Sequence, residues 1–445
     1  MRDYPVIKFL FYTLLFFLTQ LFGSGLTLSN LAFGIELQQD TTQKKVYLEY
    51  ADEVMGGKET YKESGKIIEE RIRSAIGHVK FRDETTTVEC DTAKEFLKSR
   101  KINLVGNVVI TRDTVIIKGE KGYYYPDKNH SVLDSNVSLS DQKVLLESRH
   151  GEYFSIDQLG IFTDSVSLKD KETTIFCDSL VYYRREDHSI AINNVKIINQ
   201  KDNIVITGDY GEHFNKLRHS FIEQEPVLTQ TSQSSKKQID TLIIKSLRMD
   251  AFRHPTDSLQ RIEIQDSVRI WRGQLTAKAK DALYMLEQNE IVLTGDPLIW
   301  YDNTQMSGDS ISIHLIETQD KQKQIDKIYL YNHAFLISAD SNTTKKFDQL
   351  SGKNMVITFN SDSKLSRTDV YKEARSLYYL YDKEKPSGAN LSSGDQINIL
   401  FKENKVDRIR IIGGVEGKQF PEWMVEKEDL NLPYFKWRSH EKPIK

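Results

Sequence analysis

Cysteine is almost missing from this chain: Cys90 and Cys177 are the two in 445 residues. That excludes the disulfide framework that staples small secreted domains. Proline is scarce at 9 residues and glycine numbers 23, so the chain is neither collagen-like nor low-complexity. A basic excess is lacking as well: 61 Lys and Arg stand against 64 Asp and Glu, a net charge of −3. The basic face that nucleic acid requires is therefore not expected, and no nucleic-acid partner is predicted. Past the N-terminal segment no apolar run is long enough to span a bilayer.

That N-terminal segment has the features of an export signal. Arg2 and Lys8 flank the start, and Phe9–Leu18 is an apolar run broken by Thr13. It is short for a membrane span and right for a signal-peptide core. Residues 1–34 are thus expected to be signal and mature N-terminus. Cleavage near Gly23-Ser24-Gly25 or near Ala32, or a retained anchor, stay open.

What the chain does have is a repeat. Val79, Val108, Val137, Val166 and Val195 follow each other at intervals of 29 residues. Two positions after each stands Phe81, Ile110, Leu139, Leu168 or Ile197, with Lys80, Val109, Ser138, Ser167 and Lys196 between. This is the period-2 signature of half-buried strands, repeated without slippage. Nine residues after each of the first four valines is Val88, Ile117, Leu146 or Ile175. Eleven after is Cys90, Gly119, Ser148 or Cys177, and Tyr124, Tyr153 and Tyr182 stand sixteen after theirs. Each unit is expected to be two or three short strands. Asn107, Asn136, Ser165 and Asn194, just before the valines, suit corners whose side chains bond the backbone. The two cysteines lie three periods apart in one column. At ~4.8 Å or more per layer that is too far to bridge, so both are read as free and buried.

The same offsets return after a polar run, Thr229 to Lys237, read as a surface loop or a boundary. Val268 and Ile270 are followed by Ala277, Ala279, Ala282 and Tyr284, and further starts fall at Leu298, Ala334 and Val415. A first regular half (35–225), a looser second half (226–420) and a non-repeat tail (421–445) follow. The tail carries Trp423, Tyr434, Phe435 and Trp437 and is expected to cover the end of the stack or meet a partner. Near the start, Val46, Leu48 and Tyr50 read as a strand, Gly56-Gly57 as a turn, and Lys58 to Arg73 as a loop or short helix.

Signals of catalysis are poor. Gly308-Asp309-Ser310 resembles a lipase motif, but it falls where the chain repeats a small residue followed by an acid, as at Gly208-Asp209 and Gly394-Asp395. Gly56-Gly57-Lys58 lacks the upstream glycine and the hydroxyl of a phosphate loop. The histidines show no metal-ligand spacing. No enzyme, cofactor or metal is predicted. The acidic column Asp91, Glu120 and Asp178 is interrupted by Arg149 and reads as surface. The basic residues Lys101, Arg261, Lys327 and Arg408 read as solvated strand starts.

Leu104-Val105-Gly106-Asn107-Val108-Val109-Ile110 followed by Ile117-Lys118-Gly119-Glu120-Lys121-Gly122-Tyr123-Tyr124 resembles the repeat of the organic-solvent-tolerance-A (OstA) family. Val79-Lys80-Phe81 with Cys90-Asp91-Thr92-Ala93 is similar to the version in OstA-like proteins of the Bacteroidetes group. The resemblance implies an all-β fold, an elongated open β-jellyroll or "β-taco". It also implies a non-catalytic role in the periplasm or at the outer membrane of a Gram-negative cell. Lipopolysaccharide would be the ligand, with its lipid A acyl chains in a hydrophobic groove. Other jellyroll components of lipopolysaccharide transport would add end to end by strand pairing. The groove would be lined by Val79, Phe81, Val88, Val108, Ile110, Ile117, Val137, Leu139, Leu146, Val166, Leu168, Ile175, Val195 and Ile197. The alternative is a structural β-solenoid, a scaffold or adhesin in which these side chains fill one another and no lipid binds.

Overall fold

The computed structural model describes residues 44–445, less 64, 172, 234–238, 255–258, 318–322, 340–345, 383–384, 403–404, 426 and 428–429. The expected signal segment lies outside the described residues. Among those described, thirty strands form one sheet in which every pairing is antiparallel. The regular half is a meander. It runs through β1 (Tyr47–Tyr50), β2 (Glu53–Glu63), β3 (Lys66–Arg82), β4 (Thr87–Phe96), β5 (Lys101–Arg112), β6 (Val115–Tyr125) and β7 (His130–Ser140). It continues with β8 (Leu145–Phe154), β9 (Leu159–Lys169), β10 (Thr173–Tyr183), β11 (His188–Asn199) and β12 (Ile204–Phe214).

Each unit is two strands, as one of the expected alternatives had it, but they are long and each is bent in its middle. The register breaks between Ile76 and Val79, Val105 and Val108, and Asp134 and Val137. At those breaks two successive residues take positive φ: Gly77–His78, Gly106–Asn107, Ser135–Asn136, Asp164–Ser165 and Asn193–Asn194. Apart from Ser135 and Ser165 these are Gly, Asn, Asp and His, which enter the left-handed region at least cost, and their recurrence every 29 residues stacks the corners. The stack is a spine along which the sheet folds into two walls. Wall A holds the strand halves that carry the valine column. Wall B holds the halves that carry Ile102, Leu104 and Tyr124. Among the described residues no strand pairing joins the two free lips, so the sheet there is folded over and is not a closed barrel.

In the second half the bent strands come first in pieces. These are β13 (His219–Glu223) and β14 (Val227–Gln233), β15 (Ile239–Lys245) and β16 (Arg248–Arg253), β17 (Leu259–Gln265) and β18 (Val268–Arg272), and β19 (Leu275–Ala279) and β20 (Asp281–Met285). Then come β21 (Glu290–Thr294) and β22 (Leu298–Tyr301), and β23 (Thr304–Ser307) and β24 (Ser310–Glu317). Whole strands return as β25 (Lys323–Ala339), β26 (Phe347–Phe359), β27 (Leu365–Asp382) and β28 (Lys385–Lys402), ending in β29 (Lys405–Ile412) and β30 (Glu416–Pro421). Val268, Leu298, Ala334 and Val415 follow positive-φ corners, as the offsets anticipate. A corner at Lys372–Glu373 precedes Ala374, a start the sequence does not mark.

Four local expectations are corrected. Gly56 and Gly57 lie inside β2, paired with Arg73 and Ile72. Lys58 to Arg73 is a hairpin, held partly by Lys58–Glu69 at 2.7 Å. Thr229 begins no loop: it pairs with Ile243 in the β14–β15 hairpin, and residues 234–238 of that run lie outside the described ones. The tail does not cover the end of the stack. It lies along the outer face of wall A in the second half, where Leu432 and Val425 pack with Phe335, Ile337, Leu377, Tyr379 and Ala389.

Candidate functional site

Alternation turns every second side chain of wall A inward, and cross-strand pairing then lines these up. Phe81 faces Val88, which faces Ile110, and the ladder continues through Ile117, Leu139, Leu146, Leu168, Ile175 and Ile197. It runs on without a gap through Ile206, Leu228, Ile244, Ile270, Ala277, Ile299, Met306, Leu336 and Leu350. At ~4.8 Å per step this is an apolar stripe on the order of 80 Å long. The valine column runs beside it at the spine, opposite small partners: Val79 faces Cys90 and Val108 faces Gly119. All fourteen residues expected to line the groove therefore meet in one apolar cluster. Thirteen of them are 0–4% exposed, and Ile197 is partly buried.

The opposite side of that cluster comes from wall B, with Leu104, Leu133, Phe162, Tyr124 and Tyr182 facing in. The walls touch, with the Phe81 and Tyr124 rings 6.3 Å apart. Gly151 sits where they converge: a Cβ there would lie 2.8 Å from Val137 Cγ1 and 2.9 Å from Phe162. Cys90 and Cys177 are free and buried in the same interior, and burial pushes each thiol up to about 12.

The mouth is held by side chains. The Tyr124 hydroxyl donates to Asp83 Oδ2, and the Tyr182 hydroxyl donates to Asp141 Oδ2 at 3.1 Å. Arg184 adds a bond to Asp141 at 3.1 Å and one to Thr114 at 2.8 Å. Further along, Asp170 Oδ2 lies 3.6 Å from both His213 Nε2 and Arg253 Nη1, and the Tyr284 hydroxyl donates to Gln230 at 2.7 Å. Tyr124, Tyr182 and Tyr284 therefore pack in the wall and also close the lips. Burial of His213, fully enclosed beside Asp170 and Arg253, lowers its pKa.

The corners differ from expectation in one respect. Their asparagines bond acids of the neighbouring strand, not the backbone: Asn107 to Asp91 at 2.9 Å, Asn136 to Glu120 at 2.5 Å and Asn194 to Asp178 at 2.7 Å. Where the acidic column reads Arg149, the matching corner residue is Ser165. Asp309 plays the same part, 2.9 Å from the corner residue His333, which accounts for Gly308-Asp309-Ser310 without catalysis.

The basic residues stand on the outer face of wall B. Lys101 lies 4.6 Å over the Tyr61 ring, Arg261 lies 4.1 Å over Phe252, Lys327 is 4.0 Å from Asp326, and Arg408 is exposed. The same face carries stacked rings that the sequence reading missed. His130 stacks on Phe154 and His188 on Phe214, each with centroids 4.2 Å apart, and His219 stacks on Phe252 at 4.7 Å. Hydrogen bonds from His130 and His150 draw Glu152 down to about 2, and Glu152 and Asp134 hold His150 up at about 9. No group of His, Cys, Asp and Glu among the described residues has the arrangement of a metal site.

Two sequence families match this chain. The one described as OstA-like protein covers residues 43–175, and the one described as LptA/(LptD N-terminal domain) LPS transport protein covers residues 145–322. No curated protein matches. Among solved structures, similarity is found to LptH, the LptA-homologous periplasmic component of the conserved lipopolysaccharide transport device from Pseudomonas aeruginosa. Identity is 12%, the match covers 31% of this chain and 93% of that one, and the TM-score is 0.23.

Proposed function

Since residues 43–175 match the OstA-like model and residues 145–322 the LptA/LptD N-terminal one, we propose that this chain carries or bridges lipopolysaccharide in the periplasm toward the outer membrane. It does so without catalysis. The observation that carries the reading is the unbroken apolar ladder from Phe81 to Leu350 between two walls joined by backbone along one spine. Side chains alone bridge the mouth at Tyr124–Asp83 and Tyr182–Asp141, so the walls part there without loss of a strand pairing. Acyl chains entering between them gain ~0.8 kcal/mol for each CH₂ removed from water. Exposed edges suit end-to-end strand addition. At one end β1 and β2 present Tyr47, Leu48, Val54 and Met55, and at the other β29 and the corner after it present Ile409 and Val415.

A second reading, a scaffold with a filled core, is favoured by the near-complete burial of the ladder in its own side chains. One experiment separates the two. Photo-crosslinking residues are placed at Ile110, Leu139 and Leu168, with exposed Lys143 as control, and the protein is irradiated with lipopolysaccharide. Adducts at the three interior positions support transport. Adducts confined to Lys143, or none at all, favour the scaffold.

A further inference from the structure

The packing of wall against wall is interrupted where the 29-residue spacing gives way. A cavity of about 30 Å³ lies there between the walls, lined on its apolar side by Ile197, Ile204, Ile206, Ile222, Met249 and Ala251. Ile197 is also the one partly buried member of the fourteen groove residues. Four polar side chains line the same cavity, Thr173 and Ser220 together with Asn199 at 4% exposure and Arg253 at 8%. Asn199 Oδ1 accepts from Asp202 N at 2.9 Å, yet its Nδ2 has no partner. Arg253 reaches Asn215 Oδ1 at 3.1 Å and Asp170 at 3.6 Å through its Nη atoms, yet its Nε has none. Buried donors without acceptors are rare and costly, the more so on a cation.

We propose that this notch is a subsite for the oxygen-bearing end of an acyl chain, a carboxylate or an ester, with its oxygen accepting from Asn199 Nδ2 and Arg253 Nε. The inference rests on the lipid reading above and gives that reading a fixed point. A bare hydrocarbon would leave both donors unpaired. A free phosphate or a sugar would leave the isoleucines without a partner. An acyl chain headed by an oxygen acceptor satisfies both, and its methylenes continue along the ladder from Ile197 toward Ile175 on one side and from Ile206 toward Leu228 on the other. A cavity this small holds the head group alone, so the chain behind it enters by parting the walls beside Ile197.

The test uses the full chain and measures binding of radiolabelled myristate and of lipopolysaccharide micelles. Asn199→Leu, Arg253→Met and Ala251→Phe are compared with the parent, each checked by its melting curve. A loss of tenfold or more in all three is expected. Loss for myristate alone identifies a free fatty acid, and loss for lipopolysaccharide alone identifies a lipid-linked acyl group. Should Arg253→Met unfold because Asp170 loses its guanidinium neighbour, Asn199→Leu and Ala251→Phe make the same comparison. Parent-like affinity for both ligands in the folded variants overturns the subsite, leaves a water as the partner of the two donors, and leaves the groove reading standing. Failure of the parent to bind either ligand overturns the groove reading, and the subsite with it.

Discussion

Tyr182 and Asp141 are 41 residues apart in sequence and bonded across the mouth of the folded sheet at 3.1 Å. Tyr124 and Asp83 repeat the relation at the same separation. Asp141 also accepts from the backbone N–H groups of Lys143 and Val144, each at 3.1 Å, so one carboxylate shapes its own turn and holds the opposite lip. Tyr182→Phe removes the cross-mouth bond alone and leaves Arg184 in place, an expected loss of about 1.5–3 kcal/mol for a bond to a charged acceptor. Asp141→Ala removes the turn bonds as well and is expected to cost more. Urea unfolding of the two variants checks the order. A Tyr182→Phe protein as stable as the parent would mean that the lip contact contributes nothing.

The spine makes a separate prediction. Asn107 has φ 46° and donates to Asp91 at 2.9 Å. Asn107→Gly keeps the conformation and loses the bond. Asn107→Val loses both and adds the left-handed penalty, about 1–2 kcal/mol. Melting temperatures are therefore expected to fall in the order parent, Gly, Val. The same series at Lys80, within a wall, is not expected to follow it.

Two histidines set opposite limbs of the stability profile. The unfolded chain protonates His213 near the ordinary value of about 6.5. The folded chain resists, because burial beside Arg253 disfavours the cation. Between the two values the unfolded state holds more protons, so stability is lost as pH falls below 6.5. His150 behaves in reverse: Glu152 and Asp134 raise it to about 9 in the folded state. Its contribution is full below 6.5 and disappears as pH rises through 9. His213→Gln is expected to flatten the acid limb, and His150→Gln the alkaline limb, in melting curves from pH 5 to 9.5.

The stacking and the corners are legible in the sequence because both are local. Alternation at Val79–Phe81 fixes which side chains face in, and Gly106–Asn107 or Ser135–Asn136 supply the left-handed backbone that a corner needs. The corner before Ala374 escapes notice because Lys372 and Glu373 are not turn-forming residues. The mouth is not legible for a different reason. Which lip residue meets Asp83 depends on how tightly the spine folds, and nothing near Asp83 in the chain encodes a partner at Tyr124. The pairing of Asn136 with Glu120 is hidden in the same way, since Asn136 alone reads as a corner residue bonding the backbone and Glu120 alone as part of a solvated column.

The tail yields the last prediction. Gln305 and Gln349 occupy outward positions of wall A, where a glutamine looks like ordinary surface. Each is 1% exposed because each grips the tail twice. Gln349 donates to Asn431 at 2.6 Å and accepts from Leu432 N at 2.9 Å; Gln305 donates to Lys436 O at 2.8 Å and accepts from Arg438 N at 2.7 Å. Between the two grips, Phe347 packs on Phe435 and Trp437. Beneath the tail the outer face carries Phe335, Ile337, Leu377 and Tyr379, unlike the mostly polar outer face of the first half. Removing residues 422–445 uncovers this stripe, and a contiguous apolar patch on a sheet face promotes association. The strands themselves stay paired, since the tail contributes none of them. The truncated chain is therefore expected to keep its β-type circular dichroism, gain binding of an apolar dye and sediment as oligomers. Gln305→Ala with Gln349→Ala in the full chain is expected to loosen the tail without removing it, so that a protease cuts it before any strand. A truncated chain that stays monomeric and binds no dye would mean that the stripe is covered by something other than the tail.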